Sequence, residues 1–410
     1  MNKEFRPITE ICLCVTEECN LACRYCFTEH HPNRMTYQVA KDTVDWLINN
    51  AKQTNKVPHI TFFGGEPTLE WDTIIVPLIN YIRQDLGLKL PCQFELGITS
   101  NCTLLTKERV DFLYQNDVGL LISVDGDRES QEYNRPCKNA QSSFDMVDAN
   151  LDYIAKYYSE KSMFRTTIIP ATCKNFCQNI DYARKKGFKS TFAIINQFED
   201  WDDESRSILE QQMQGYADYL VYCFQNNYDF IRLRPLEQAI NKIISIDLHC
   251  AQNPKLQRIE FSRIDRVCGL GGGYASINYK GDIYTCQEIS SRESDNQIFN
   301  IGNIYTGIDE HKRMELAEKA NSFIHTVNAK YGEEKCKKCK LAAVCDINNC
   351  LIDNYIANKD FNKQNDARCW WNELMINTAQ YICILLGDNE NFKNYFKYLL
   401  TSEGGCMYER

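Results

Sequence analysis

The sequence lacks any long apolar stretch. No run of about 18 apolar residues occurs, so no membrane-spanning helix is expected. The first residues, Met1 to Pro7, do not lead into the apolar core of a secretory signal peptide. We therefore expect a cytoplasmic protein that has no membrane partner.

The chain also lacks an excess of positive charge. It carries 46 Lys and Arg against 55 Asp and Glu, which gives a formal net charge of −9. Proteins whose main partner is a nucleic acid usually present a basic face. This balance disfavours a nucleic-acid partner, and with it a nucleic-acid-modifying enzyme that would need a basic groove.

Cysteine, by contrast, is abundant, with 21 residues in a chain of 410. In a secreted protein such a number would suggest disulfides, but here the cysteines are clustered and no secretion signal precedes them. Reduced thiols grouped at short spacings more often bind metal. The sequence therefore predicts metal centres, and its length predicts more than one domain.

Short apolar runs alternate with helical patterns through the first half of the chain. The predicted strands are Ile11–Val15, Ile60–Phe63, Phe94–Thr99, Leu120–Val124, Phe164–Ile169 and Thr191–Ile195. Six β-α units predict an α/β fold with a parallel sheet and right-handed crossovers. Because six is fewer than eight, we expect a partial (β/α)6 TIM-like barrel, with its chemistry at the carboxyl ends of the strands.

The second half of the chain has a different sequence pattern. A long helix is predicted over 204–226 and a further strand over Asp229–Pro235. From Cys268 onward, cysteine spacing replaces β-α alternation, and an aromatic-rich stretch predicts a closing helical segment. The predicted domains are a barrel (1–235), a connector (236–265), a cysteine-rich domain (266–375) and a C-terminal helical segment with a tail (376–410).

The first cysteine cluster has the spacing C-x3-C-x2-C, formed by Cys19, Cys23 and Cys26. Three thiolates on one loop can bind three irons of a four-iron cluster and leave the fourth open to a reacting molecule. A zinc knuckle is the alternative. About 40 residues further on, Gly64-Gly65-Glu66-Pro67 closes the second strand, where glycines allow close backbone approach.

These motifs, in this order, resemble the radical SAM superfamily. The resemblance implies a 4Fe–4S cluster that binds S-adenosylmethionine (SAM) and cleaves it to a 5′-deoxyadenosyl radical, which abstracts a hydrogen atom from the substrate. It also implies a set of SAM-binding residues, in which Ser100-Asn101-Cys102 departs from the family's T-N-G at two of three positions. The implied set is Tyr25, Gly64, Gly65, Glu66, Ser100, Asn101, Ser123, Asp125 and Arg135.

Two residues of this set could instead have purely structural roles. Asp125 could be a helix cap and Arg135 a surface charge. Both, however, fall at the strand ends where the fold is expected to place its chemistry.

The later cysteines resemble the SPASM auxiliary-cluster domain of peptide-modifying radical SAM enzymes. The resemblance implies two auxiliary 4Fe–4S clusters: a distal one held by Cys336, Cys339, Cys345 and Cys369, and a proximal one held by Cys268, Cys286 and Cys350. The fourth proximal ligand is open, with Cys250, a substrate atom or none as the alternatives. Structural zinc would fit the C-x2-C pair equally well.

The resemblance further implies a peptide or protein substrate. We expect a maturase that introduces a thioether or carbon–carbon crosslink into a ribosomally made peptide. The alternative is oxidation of Cys or Ser to formylglycine, as in anaerobic sulfatase-maturing enzymes. Those relatives carry an aspartate base directly after the Cys286 position, whereas here Gln287 follows and Glu288 is the candidate base.

Two partners are expected beyond the substrate. Only 18 residues precede Cys19, so leader recognition is expected to involve a separate protein or another surface. The cluster chemistry calls for a reductant such as flavodoxin or ferredoxin. A non-enzymatic metal scaffold is a third reading, which the SAM-pocket residues disfavour.

Overall fold

The computed structural model describes residues 7–252, 273–292, 296–328, 341, 350–361 and 363–401. They form two compact units that interleave along the chain. The first unit comprises Met1–Ser123, Arg135–Tyr157 and Ser262–Ile324. The second comprises Val124–Asn134, Tyr158–Phe261 and His325–Arg410.

The described strands, in chain order, are β1 (Glu10–Thr16), β2 (His59–Gly64), β3 (Glu95–Ser100), β4 (Val118–Ile122), β5 (Phe164–Ile168), β6 (Ser190–Ile195), β7 (Arg232–Leu233), β8 (Tyr274–Ile277), β9 (Asp282–Tyr284), β10 (Asn300–Asn303) and β11 (Gly307–Ile308).

The described α-helices are α1 (Tyr37–Ala51), α2 (Val76–Asn80), α3 (Lys107–Gln115), α4 (Arg128–Asn134), α5 (Ser143–Tyr158), α6 (Phe176–Lys185), α7 (Asp203–Asn226), α8 (Arg234–Gln252), α9 (Gln287–Ser290), α10 (Asn296–Phe299), α11 (Glu310–Asn328), α12 (Leu351–Asn358), α13 (Asp366–Leu386) and α14 (Glu390–Thr401). Short 3-10 turns cover Pro67–Glu70 and Pro170–Asn175, and π-helical turns cover Trp71–Ile75 and Tyr81–Asp85.

The first unit is built on a sheet in which β1, β2, β3 and β4 pair in parallel, in that order. On the other side of β1, strand β8 also pairs in parallel, and β8 to β11 continue as antiparallel neighbours. The β8–β9 hairpin turns at Gly281, whose φ of 83° suits glycine. The hairpin ends two residues before Cys286.

In the second unit, β5, β6 and β7 pair in parallel. The ring centres of Phe164 and Phe188 lie 4.9 Å apart, and both side chains are buried. Helix α13 is fixed by Trp370, whose ring centre lies 5.2 Å from that of Trp201 with the planes tilted by 40°. Trp370 Nε1 also donates to Glu210 at 2.8 Å. Helix α14 packs through Phe392 and Phe396, both buried.

Most of the predicted elements are confirmed. Each of the six predicted strands has its counterpart among β1 to β6. The closing helical segment is present as α13 and α14.

The region after α7 departs from the prediction. The strand predicted over Asp229–Pro235 is only two residues long, because helix α8 already begins at Arg234. Helix α8 therefore fills the first part of the predicted connector, with Leu236 and Ile240 buried on one face. Within the part of the chain that the structure describes, no helix combines the length and the apolar composition of a membrane span.

Arg83 is a buried cation that satisfies backbone groups of the first unit. Its Nε donates to the Asn116 carbonyl at 3.1 Å, and its Nη1 donates to those of Leu88 and Phe94 at 2.6 and 2.9 Å. Only 5% of Arg83 is exposed. The side chain thus joins the chain before β3 to the end of α3.

We expect Arg83→Met to lower the free energy of unfolding by about 3 kcal/mol, because three carbonyls lose their donor while the side-chain volume is kept. Urea unfolding followed by tryptophan fluorescence measures the change. The matched control is Arg184→Met, which removes an exposed ion pair with Asp181 (2.7 Å) and should cost less than about 1 kcal/mol. Equal losses in the two variants would contradict the assigned role.

Candidate active site at the strand ends

The three clustered thiols lie on the loop that follows β1. Cys26 is exposed, whereas Cys19 and Cys23 are half-buried. The loop is closed at its base, where the Met35 N–H donates to the Val15 carbonyl at 2.8 Å and Asn33 Nδ2 donates to Glu17 Oε2 at 2.7 Å. The cysteines are therefore carried by a loop whose two ends are held together.

An arginine also fastens this loop to the segment after β2. Arg34 pairs with Glu18 and, at 3.0 Å, with Glu70. Glu70 is 3% exposed, so its carboxylate needs a cationic partner in place of water. No motif in the sequence points to Arg34, because a single arginine between motifs carries no signal.

The end of β2 touches the start of the cysteine loop through its backbone. Gly65 N–H donates to the Thr16 carbonyl and Glu66 N–H to the Glu18 carbonyl, both at 2.8 Å. A Cβ on Gly65 would lie 2.1 Å from the Glu18 carbonyl oxygen and 3.0 Å from Cys19 N. Close approach therefore requires glycine at this position.

Glu66 is a fully buried carboxylate that joins β2 to the end of β3. Its Oε1 accepts from the Thr68 hydroxyl at 2.5 Å and the Ser100 hydroxyl at 2.9 Å, and its Oε2 accepts from Asn101 N at 2.8 Å. Burial raises the pKa of Glu66, and these hydrogen bonds oppose the rise. Since Oε2 has capacity for a further donor, the carboxylate can still accept an ammonium group.

Asn101 continues this network into the cysteine loop. Its Nδ2 donates to Asn20 Oδ1 at 2.9 Å and lies 3.9 Å from Cys19 Sγ. The next residue, Cys102, has a φ of 63°, in the left-handed region that favours glycine. The departure of this motif from T-N-G therefore puts a cysteine in a glycine-like conformation.

The thiol of Cys19 is strongly influenced by its surroundings. Burial raises its pKa to about 12, and the Glu66 carboxylate and the sulfurs of Cys23 and Cys26 add to the rise. As thiolates the three sulfurs would therefore repel one another, and a bound cation relieves that repulsion. Across the described ranges, however, no three His, Cys, Asp or Glu side chains are already arranged to hold a metal ion.

The other predicted SAM-binding residues fall in both units. In the first, the Arg135 guanidinium lies 5.3 Å from the centre of the Tyr25 ring, and Ser123 N–H donates to the Ser100 carbonyl at 2.9 Å. In the second, Asp125 is fully buried, and its Oδ1 accepts from Thr167 N at 2.9 Å. Asp125 thus binds the backbone of β5.

Only some of the predicted auxiliary-cluster cysteines are among the residues that the structure describes. Cys268, Cys336, Cys339 and Cys345 lie outside the described residues, as does the side chain of Cys250. Cys286 is buried at the N-cap of α9 and accepts from the Glu288 N–H at 3.4 Å.

The two remaining auxiliary cysteines belong to the second unit. Cys350 precedes α12, and Cys369 lies in the first turn of α13. The candidate base Glu288 is half-buried in the first unit.

The family model and the relatives that match this chain point to the same protein family. Residues 13–210 match the model of the radical SAM superfamily. The uncharacterized protein MJ0907 of Methanocaldococcus jannaschii is 31% identical over 66% of this chain and 82% of its own length.

Two further relatives have named activities. The radical SAM cyclopropyl synthase TigE of Paramaledivibacter caminithermalis is 31% identical over 68% of this chain and 57% of its own length. The serine-type anaerobic sulfatase-maturating enzyme of Bacteroides thetaiotaomicron is 24% identical over 80% of this chain and 79% of its own.

Among solved structures, native anSMEcpe with bound AdoMet and Cp18Cys peptide shares the fold. It aligns with a TM-score of 0.69 at 19% identity, over 93% of this chain and 99% of that one. The α/β architecture expected from six β-α units is thereby confirmed at the level of the fold.

Gly65→Ala tests the contact between β2 and the cysteine loop. We expect the variant to lose about four irons per chain after reconstitution, because the added methyl displaces the backbone at Cys19. Iron analysis and the visible absorbance of the cluster measure the loss. The matched control is Gly215→Ala in α7, where the added methyl meets Cys177 Sγ at an ordinary 3.7 Å. Full iron in both variants would contradict the prediction.

Proposed function

The chain belongs to the radical SAM superfamily, and from this premise we propose that it is a peptide-modifying enzyme that crosslinks a ribosomally made peptide. The family implies a 4Fe–4S cluster and SAM. The observation that carries the proposal is the joining of the Cys19–Cys26 loop, the glycine-rich end of β2 and the Ser100-Asn101 end of β3 by one hydrogen-bond network.

Cys19, Cys23 and Cys26 would hold the SAM cluster. When bound, the cluster and SAM supply a 5′-deoxyadenosyl radical able to take a hydrogen atom from an unactivated carbon. The protein holds the two cofactor-binding segments in register, because Gly65 allows the loop and β2 to share backbone hydrogen bonds.

The SAM-binding residues divide by chemistry. The carbonyl oxygens of Gly64 and Gly65, with Glu66 Oε2, suit the methionine ammonium of SAM, which can only donate hydrogen bonds. Arg135 suits its carboxylate, since a guanidinium pairs with carboxylates in a fixed fork. Tyr25, against which Arg135 lies, offers a ring for the adenine.

The remaining SAM contacts involve the strand ends. We assign the ribose hydroxyls to Ser123 and Asp125, with Ser100 and Asn101 ordering the end of β3. These side chains orient the cofactor, while the apolar strands behind them exclude water, with Ile98 and Ile122 fully buried.

A peptide substrate is supported by the relatives. Among the proteins that share the fold, anSMEcpe has been solved with a peptide bound. We propose a thioether or carbon–carbon crosslink as the product. A separate leader-binding protein and a reductant such as flavodoxin or ferredoxin would complete the system.

Two auxiliary 4Fe–4S clusters form part of the proposal. Cys336, Cys339, Cys345 and Cys369 would hold the distal one, and Cys268, Cys286 and Cys350 the proximal one, with Cys250, substrate or no residue as fourth ligand. Of these proposed ligands, Cys369 has a defined place in the second unit. Cys369 lies beside Trp370, whose ring and N–H fix α13 within the second unit.

Formylglycine formation is the second candidate function. It is favoured by the match to a sulfatase-maturating enzyme along 80% of this chain. Glu288 would then be the base that accepts the substrate proton. The neighbouring Gln287 has no charge, and its Oε1 accepts a hydrogen bond from the Tyr274 hydroxyl. Glu288 is therefore the carboxylate nearest in sequence to Cys286 that could act as this base.

Iron content and SAM cleavage test the cofactor assignment. Anaerobically reconstituted protein should hold about twelve irons per chain, and replacing Cys19, Cys23 and Cys26 by Ala should remove about four. The reduced wild type should release 5′-deoxyadenosine from SAM, and the triple variant should release none. About four irons in the wild type would retain the SAM cluster and contradict the auxiliary clusters.

The fate of substrate sulfur separates the two candidate reactions. We expect mass spectrometry of cysteine-containing peptides incubated with the enzyme, SAM and dithionite to show products that keep every sulfur atom. A thioether or carbon–carbon crosslink keeps sulfur, whereas oxidation of Cys to formylglycine removes it. Loss of sulfur would support the second function, and Glu288→Gln should then abolish the product, with Glu315→Gln, an exposed carboxylate on α11, as the control.

A further inference from the structure

Cys26 is the exposed thiol of the cysteine loop, and it contacts a histidine. Cys26 Sγ lies 3.7 Å from Nε2 of His30, within the usual range for a hydrogen bond to sulfur. We propose that His30 donates its Nε2–H to the Cys26 thiolate and raises the reduction potential of the SAM cluster. This inference rests on the proposed function, which makes Cys26 a cluster ligand.

The chain between the two residues is anchored, so the contact has a structural basis. Phe27 stacks on Phe63 of β2, with ring centres 6.3 Å apart and planes 10° from parallel. Beyond His30, the loop closes where Asn33 donates to Glu17 at 2.7 Å. His30 is therefore placed between two fixed points, close to the thiol four residues before it.

The direction of the hydrogen bond follows from the chemistry of the ligand. A thiol can donate or accept, but a thiolate bound to iron has no proton and can only accept. The contact therefore requires the proton to be on Nε2. At the other end of the motif, the half-buried Cys19 also has N–H donors near its sulfur. Leu21 N lies 3.4 Å and Asn101 Nδ2 lies 3.9 Å from Cys19 Sγ.

A donor at Cys26 matters because this sulfur faces solvent. Hydrogen bonds to cluster sulfurs and solvent exposure are two of the factors that set the potential of an iron–sulfur centre. Reduction adds negative charge to the cluster, and an N–H directed at a ligand sulfur stabilises the more negative state. His30 is a positioning residue in this account, because it acts through Cys26 and touches no substrate.

The test is a redox titration of the reconstituted full-length protein, followed by electron paramagnetic resonance (EPR). The SAM cluster is recognised by the change of its signal when SAM is added. We expect His30→Leu to lower the ratio of reduced to oxidised SAM cluster about tenfold at a fixed potential, which is a midpoint shift of about −59 mV for one electron.

The controls separate hydrogen bonding from loop structure. His31→Leu changes the neighbouring histidine and should leave the midpoint unchanged. His30→Gln keeps an N–H donor of similar reach, so its midpoint potential should stay close to that of the wild type. The midpoint is independent of the fraction of protein loaded, so partial iron loss in a variant does not obscure the comparison.

Labelling with 15N-histidine provides a second readout. We expect electron spin-echo spectra of the reduced SAM cluster to show a weak nitrogen coupling that His30→Leu removes and His31→Leu keeps. An unchanged midpoint in His30→Leu, or a strong coupling typical of direct iron ligation, would overturn the inference. A wild-type signal that does not respond to SAM would instead refute the proposed function and, with it, the premise of this inference.

Discussion

The candidate site depends on one buried carboxylate. Glu66 accepts hydrogen bonds from the Ser100 hydroxyl and the Asn101 amide at the end of β3, while its own amide donates to the Glu18 carbonyl beside Cys19. A single residue just after β2 therefore connects the neighbouring strand with the start of the cysteine loop. Because a buried carboxylate is costly without partners, the three segments are held together as a unit.

Much of the fold could be predicted because its strands are short, apolar and regularly spaced. The run that forms β2, His59–Gly64, is bounded by turn residues, and its burial leaves little choice of structure. The region after Asp229 was harder, since Pro235 suggested the end of a strand. Proline is equally at home in the first turn of a helix, and here it lies at the start of α8.

The candidate site residues were implied by the family resemblance, and their places at the carboxyl ends of parallel strands agree with where such folds carry their chemistry. Their partners were not implied. The bonds of Glu66 to Ser100 and Asn101 join residues 34 and 35 positions apart, and no local pattern encodes that pairing. The same holds for Arg34, which reaches Glu70 only because the loop folds back on itself.

The burial of the remaining thiols bears on how a chain with 21 cysteines acquires its metal. Cys12, Cys14 and Cys102 lie within the sheet and at its edge, and burial raises the pKa of each. Unlike the half-buried Cys19, these three thiols are out of solvent, where neither iron nor another thiol can reach them. Packing therefore makes these thiols inaccessible before a cofactor binds. Iron delivered to the folded protein then has few competing sulfur ligands near the Cys19–Cys26 loop.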